Sequence, residues 1–217
     1  MDAGSLEAKA EFLFRLRARG IRDLAVLRAM EAVPRPVFVP HRYADLAAKD
    51  VALPLACGQT MAEPSVVARM LEGLGPLEGR GVLEVGSGSG YATALLARLG
   101  AEVLGVERFR TLAQGAQARL ASLDVTGAAV VWGDGLAVPA DRGPFDGILV
   151  HAALADVPEE LADLLGPEGV LVCGRSGRGG ARQDVVAARR DSEGEWRFKP
   201  LGPCRLRPLL DGPSLGL

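Results

Sequence analysis

The 217-residue chain has no asparagine, two histidines (His41 and His151) and three cysteines (Cys57, Cys173 and Cys204). An odd cysteine count without a C-x-x-C pair excludes a disulfide framework and argues against a zinc site. Each cysteine is expected to serve as a small buried hydrophobe. No run of about 18 uncharged apolar residues occurs, which excludes a membrane-spanning helix and predicts no membrane partner. Neither sign of charge dominates: 25 Lys+Arg against 27 Asp+Glu leave a net charge of −2. No nucleic-acid partner is therefore expected. The first residues lack an uninterrupted apolar stretch, because Glu7, Lys9, Glu11, Arg15 and Arg17 break it. A secretory signal is not expected, and the expected location is cytoplasmic.

What is present suits a globular domain. Hydrophobic residues make up 48% and charged residues 24%, and a chain of this length buries a full core without staples. Residues 5–32 carry apolar side chains at helical intervals (Leu6, Leu13, Leu16, Ile21, Leu24, Leu27, Met30), with a break at Gly20. Val33-Pro34-Arg35-Pro36 stops that pattern. Residues 37–60 read as short helices and loops, and residues 64–74 as a helix with Pro64 in its first turn. From residue 80 the rhythm changes. Strands are expected at 82–85, 103–106, 128–132, 145–150 and 169–173, and helices at 91–99, 112–123 and 158–165. This alternation predicts a doubly wound α/β domain with a mostly parallel sheet, because near-continuous apolar strands must be covered on both faces. Residues 184–189 and 195–199 predict a hairpin around Asp191-Ser192-Glu193-Gly194. Residues 204–210 are expected to form a further strand, and 211–217 to fray. Trp132 and Trp196 are expected in the core or sheet.

The chemistry-bearing segment is Glu84-Val85-Gly86-Ser87-Gly88-Ser89-Gly90, between a strand and a helix. Its G-x-G-x-G spacing lets the backbone approach a ligand closely and differs from the G-x-G-x-x-G of dinucleotide sites. Glu84 would repel a pyrophosphate and suit a cation such as an amino group. Glu107, with Arg108 beside it, ends the next strand, where a carboxylate can accept both ribose hydroxyls. Asp134, in Gly133-Asp134-Gly135, ends the third strand and could accept from an adenine amine. Asp146 opens the fourth, where ordering the strand edge is the stronger reading. Together these describe a crevice for a nucleoside with a positively charged tail, and the expected cofactor is S-adenosylmethionine.

The successive segments Glu84–Tyr91, Glu107, Gly133–Gly135, Phe145–Val150 and Leu164–Val172 resemble the motifs of class I S-adenosylmethionine-dependent methyltransferases. Residues 30–40 (MEAVPRPVFVP), Tyr43, Asp50-Val51-Ala52-Leu53-Pro54, Gly58-Gln59-Thr60 and Ala152–Pro158 resemble the protein-L-isoaspartate O-methyltransferases more narrowly. The resemblance implies a Rossmann-like seven-stranded sheet whose last pair includes an antiparallel member. It implies residues 1–75 as a helical, substrate-side subdomain and 76–217 as the cofactor-binding α/β domain with a C-terminal hairpin region. The cofactor crevice would then comprise Glu84, Gly86, Ser87, Gly88, Ser89, Gly90, Glu107, Arg108, Asp134 and Gly135. Thr60, Ala62 and His151 would face the methyl group or the acceptor. The implied partners are isoaspartyl-containing peptides or proteins, and the expected state is a monomer. An isoaspartyl carboxylate is ionised at neutral pH. Its methylation needs alignment and exclusion of water more than a strong base, in keeping with two histidines in the chain.

Two positions depart from the family pattern. Where the family carries a serine after Gly-Gln-Thr and one apolar residue, this chain has Ala62, followed by Glu63. Where the family carries threonine after the fourth strand, it has His151. These departures keep open a small-molecule or modified-peptide acceptor, and also a non-catalytic cofactor-binding or isoaspartyl-binding role.

Overall fold

The computed structural model describes residues 3–176 and 182–214, with side chains from Glu7 onward. Two helices open it, α1 (Ala3–Ala18) and α2 (Leu24–Ala32). Asp23 caps α2: its Oδ1 accepts from Ala25 N at 2.7 Å and from Val26 N at 3.1 Å, using up donors the first turn cannot satisfy internally. Short 3-10 turns follow at 35–38 and 41–46. Then comes a small hairpin of β1 (Leu53–Pro54) and β2 (Thr60–Met61), and the helix α3 (Pro64–Leu74). Asp50 ties this loop to α3, since its carboxylate accepts from Ser65 N at 2.9 Å and Ser65 Oγ at 3.0 Å. Arg19 lies 3.0 Å from the same carboxylate.

The remaining elements are β3 (Gly81–Val85), α4 (Tyr91–Arg98), β4 (Glu102–Glu107), α5 (Arg110–Ser122), β5 (Ala128–Trp132), β6 (Phe145–Leu154), α6 (Glu159–Ala162), β7 (Leu165–Ser176), β8 (Gln183–Arg190) and β9 (Trp196–Pro203). The main sheet has seven strands in the order β5-β4-β3-β6-β7-β8-β9. Strands β3 to β7 pair in parallel, and β8 pairs antiparallel with both β7 and β9. This is the doubly wound, mostly parallel α/β architecture expected from the alternation. One apolar layer joins Leu16, Ile21, Met30, Phe38 and Leu71 from the first helices to Val82 and Leu149 of the sheet. The opposite layer is built on Leu83, Val85, Ile148 and Val150. Residues before and after position 75 thus share a core.

Four expectations need correction. The helix expected over 158–165 is one turn, Glu159–Ala162, and β7 begins at Leu165; Gly166-Pro167 cannot extend a helix. Residues 204–210 form no strand, and their sheet-like contact is an isolated bridge between Ala153 and Pro208. The tail is docked as far as Ser214, whose N–H donates to Arg108 O at 2.8 Å, and 215–217 lie outside the described residues. Trp132 ends β5, a sheet position as expected, and is 43% exposed because β5 is an edge strand. Cys173 and Cys204 are buried as expected, whereas Cys57 is half-buried. No helix among the described residues is long and apolar enough to cross a membrane.

Candidate active site

The chain leaves β3 towards β4 and β5 on one side, and β6 to β9 fill the other side. At such a switch point the carboxyl ends of neighbouring strands part and open a crevice. The glycine loop leaves β3 there. Gly86, Gly88 and Gly90 have φ of +84°, +56° and +85°, values that side chains with a Cβ rarely adopt. Gly86 N donates to Val106 O at 2.8 Å, which folds the loop back towards β4 before α4 begins.

The crevice has two lobes that share Leu55, Thr60, Gly86, Gly88 and His151. The larger lobe adds Glu107, Arg108, Asp134, Gly135 and the segment 207–210. The smaller adds Met61, Ala62, Ser87, Ser89 and Tyr91. The structure therefore brings together every sequence-predicted site residue except Glu84 and Gly90 as crevice lining. Gly90 begins α4 behind the loop, and a Cβ there would stand 3.0 Å from Ala116 Cβ.

Glu107 is buried at the end of β4. Its Oε2 accepts from Gly88 N at 2.8 Å and its Oε1 from Phe109 N at 2.9 Å. Burial raises its pKa above the ordinary 4.5; the backbone N–H donors pull the other way, and nearby Glu84 adds to the rise. Asp134 accepts from Leu136 N at 2.9 Å through Oδ1 and from Gly212 N at 2.8 Å through Oδ2. Gly135 is fixed by space, since a Cβ would stand 2.4 Å from Val85 Cγ1. A Gly135→Ala protein is expected to lose roughly 1–3 kcal/mol of stability through this overpacking, read as a lowered denaturation midpoint.

Glu84 is wholly buried and does not line the crevice. Thr93 Oγ1 donates to its Oε2, and His151 Nε2 lies 2.9 Å from its Oε1. The carboxylate expected to meet an amino group thus contacts Thr93 and His151 and does not line the crevice. His151 lies in the stretch of β6 where the register against β7 shifts between Leu149 and Ala153. Such irregularities re-aim side chains at strand ends, and His151 lines both lobes.

Thr60 is exposed and Ala62 half-buried on the small hairpin and its exit. Glu63 does not line either lobe. Among the described residues the Ser87 and Tyr91 hydroxyls are buried without a hydrogen-bond partner, beside the smaller lobe. Arg108 donates from Nη2 to Asp211 O at 3.3 Å. Asp146 sits at the opposite, amino-terminal end of the sheet, accepting from Gly81 N at 2.9 Å; it orders a strand edge and lies away from the crevice.

Sequence reasoning missed one part of the site and one buried group that braces the loop beside it. One is the 205–214 segment, which crosses the carboxyl ends of the strands. Ala153 N donates to Arg207 O at 2.7 Å, and Leu209 N to Ala153 O at 3.1 Å. The other is Arg35, 3% exposed, whose guanidinium donates to the carbonyls of Ala47 at 2.8 Å, Val51 at 3.3 Å and Ala62 at 3.4 Å. An arginine between two prolines at the end of an apolar helix was the available signal.

The family described as protein-L-isoaspartate(D-aspartate) O-methyltransferase matches residues 7–214. A relative from Rhodopseudomonas palustris (strain HaA2), named protein-L-isoaspartate O-methyltransferase 2, is 49% identical over 204 residues, 94% of this chain and 93% of the relative. One from Bradyrhizobium sp. (strain ORS 278), named protein-L-isoaspartate O-methyltransferase, is 50% identical over 207 residues, with 94% of each chain covered. A Plasmodium falciparum crystal structure, described as a protein-L-isoaspartate O-methyltransferase in complex with S-adenosyl-L-homocysteine, shares the fold. Its TM-score is 0.76 at 24% identity, covering 92% of this chain and 97% of that one.

Proposed function

The chain belongs to the protein-L-isoaspartate O-methyltransferase family, and on that premise we propose that it methylates the free α-carboxylate of isoaspartyl residues in damaged proteins, using S-adenosylmethionine. The observation that carries this reading is the pairing of Glu107 and Asp134 at the ends of adjacent parallel strands, in one crevice with a glycine loop.

The residues present fit the cofactor. Carboxylates have about four acceptor sites, so Glu107 and Asp134 keep acceptors for ribose hydroxyls and an adenine amine beyond the backbone donors they already hold. Gly86 and Gly88 of the loop line both lobes and leave out side chains that would narrow the cradle. When bound, the cofactor supplies a methyl carbon on a sulfonium, so that a carboxylate oxygen forms the C–O bond as the C–S bond breaks and no proton need move. The chain's own task is to position the acceptor and keep water out. The smaller lobe has no acidic side chain in its lining, so an anionic acceptor meets no repulsion from its walls.

Ala62 favours one second reading, a different acceptor, because a hydroxyl there is missing. The product chemistry separates the two. Label from S-adenosylmethionine recovered as a base-labile methyl ester supports carboxyl transfer, and base-stable label supports another acceptor. On the leading reading, Ala62→Ser is expected to raise kcat/KM for an isoaspartyl peptide by roughly ten-fold, through a restored hydrogen bond to a charged group.

A further inference from the structure

We infer that His151 is the group that receives the ammonium of the cofactor's amino-acid tail, with Glu84 as a positioning residue behind it; this rests on the cofactor reading above. The nearest carboxylate to the glycine loop by sequence is Glu84, yet it is wholly buried against Thr93 and His151, and it lines neither lobe of the crevice. A carboxylate only accepts hydrogen bonds. It therefore draws the imidazole N–H onto Nε2 and leaves Nδ1 as an acceptor, the way an outer carboxylate fixes the tautomer of a functional histidine. Among the described residues the ring's one hydrogen bond is this contact of Nε2 with Glu84.

The position suits a tail. His151 Cβ lies 3.5 Å from where a Gly86 Cβ would stand, at the junction of the two lobes. On one side of that junction are Glu107 and Asp134, matched to a nucleoside. On the other is the start of α4, an eight-residue helix opening at Tyr91, whose free N–H groups and dipole favour an anion such as the tail's carboxylate. The lining there offers no acidic side chain to the tail's cation. His151, backed by Glu84, supplies the missing acceptor.

The test compares two ligands by calorimetry: S-adenosylhomocysteine, which has the tail, and 5′-methylthioadenosine, which lacks it. His151→Ala is expected to weaken S-adenosylhomocysteine roughly ten-fold or more and leave 5′-methylthioadenosine within about two-fold. Glu84→Gln, which can turn the tautomer round, is expected to give the same selective loss. His151→Gln, which keeps an acceptor and a donor, should recover part of it and decides the matter should His151→Ala fail to fold. Equal weakening of both ligands overturns the proposal in favour of a structural role. Unchanged S-adenosylhomocysteine affinity with a raised acceptor KM overturns it in favour of acceptor contact. Wild-type protein that binds neither ligand would instead refute the cofactor reading itself.

Discussion

Arg35→Ala is expected to lower the free energy of unfolding by about 3 kcal/mol or more, read from the shift in denaturant midpoint at unchanged slope. The guanidinium is buried and holds carbonyls from four places in the loop: Ala47 at 2.8 Å, Lys49 at 3.4 Å, Val51 at 3.3 Å and Ala62 at 3.4 Å. It also sits 6.0 Å from the Tyr91 ring centroid. Burial pulls its pKa below the ordinary arginine value, while Tyr91, Asp50 and Glu63 favour the charged form. Truncation strands these carbonyls without a donor and opens a cavity, both of which cost stability. The same loop carries Thr60 and Ala62, so the acceptor KM should rise in whatever protein remains folded. Arg35→Lys keeps the charge without the fork that spans the carbonyls, and is expected to recover only part of the loss. A midpoint shift worth less than about 1 kcal/mol would show that the loop is held by other means.

Glu107→Ala is expected to weaken S-adenosylhomocysteine by roughly ten- to a hundred-fold, since it removes the one buried carboxylate of the larger lobe and frees Gly88 N and Phe109 N. The effect carries a pH signature. Burial raises the folded-state pKa of Glu107 above the ordinary 4.5. The folded, ligand-free protein therefore holds this proton to higher pH than the unfolded chain does. Its contribution to stability is fully present below the unfolded value and is lost as pH rises through the folded one. Ligand binding runs the other way, because ribose hydroxyls need the ionised acceptor. Affinity should fall on acidification while ordinary carboxylates are still ionised. Glu107→Gln should bind more weakly at neutral pH and show no such fall. An identical acid fall in Glu107→Gln would assign the titration to another group.

The parts of the fold legible in the sequence were those that local chemistry determines. Alternating apolar runs and helical patterns place β3 to β7 and α3 to α5, because each element buries its own periodic face. The glycine loop, Glu107 and Asp134 were legible because strand ends in a doubly wound sheet converge on one edge. What stayed hidden depends on partners distant in sequence. Glu84 looks like a ligand group from its place before Gly86, but its burial is decided by Thr93 and His151, 9 and 67 residues away. The 205–214 segment has strand-like residues without a neighbour strand. Its hydrogen bonds are isolated ones to Ala153, Arg108, Asp134 and Gln183. Trp132 has a core residue's chemistry and an edge strand's position. Arg35 reads as a helix stop between prolines, and its carbonyl partners come into reach only when the loop folds.

The most direct test is methyl transfer from labelled S-adenosylmethionine to two peptides of one sequence, one with an isoaspartyl linkage and one with the ordinary aspartyl linkage. The account predicts turnover on the isoaspartyl peptide and none above background on its twin. Equal labelling of both peptides, or tight cofactor binding with no label in either, would contradict it.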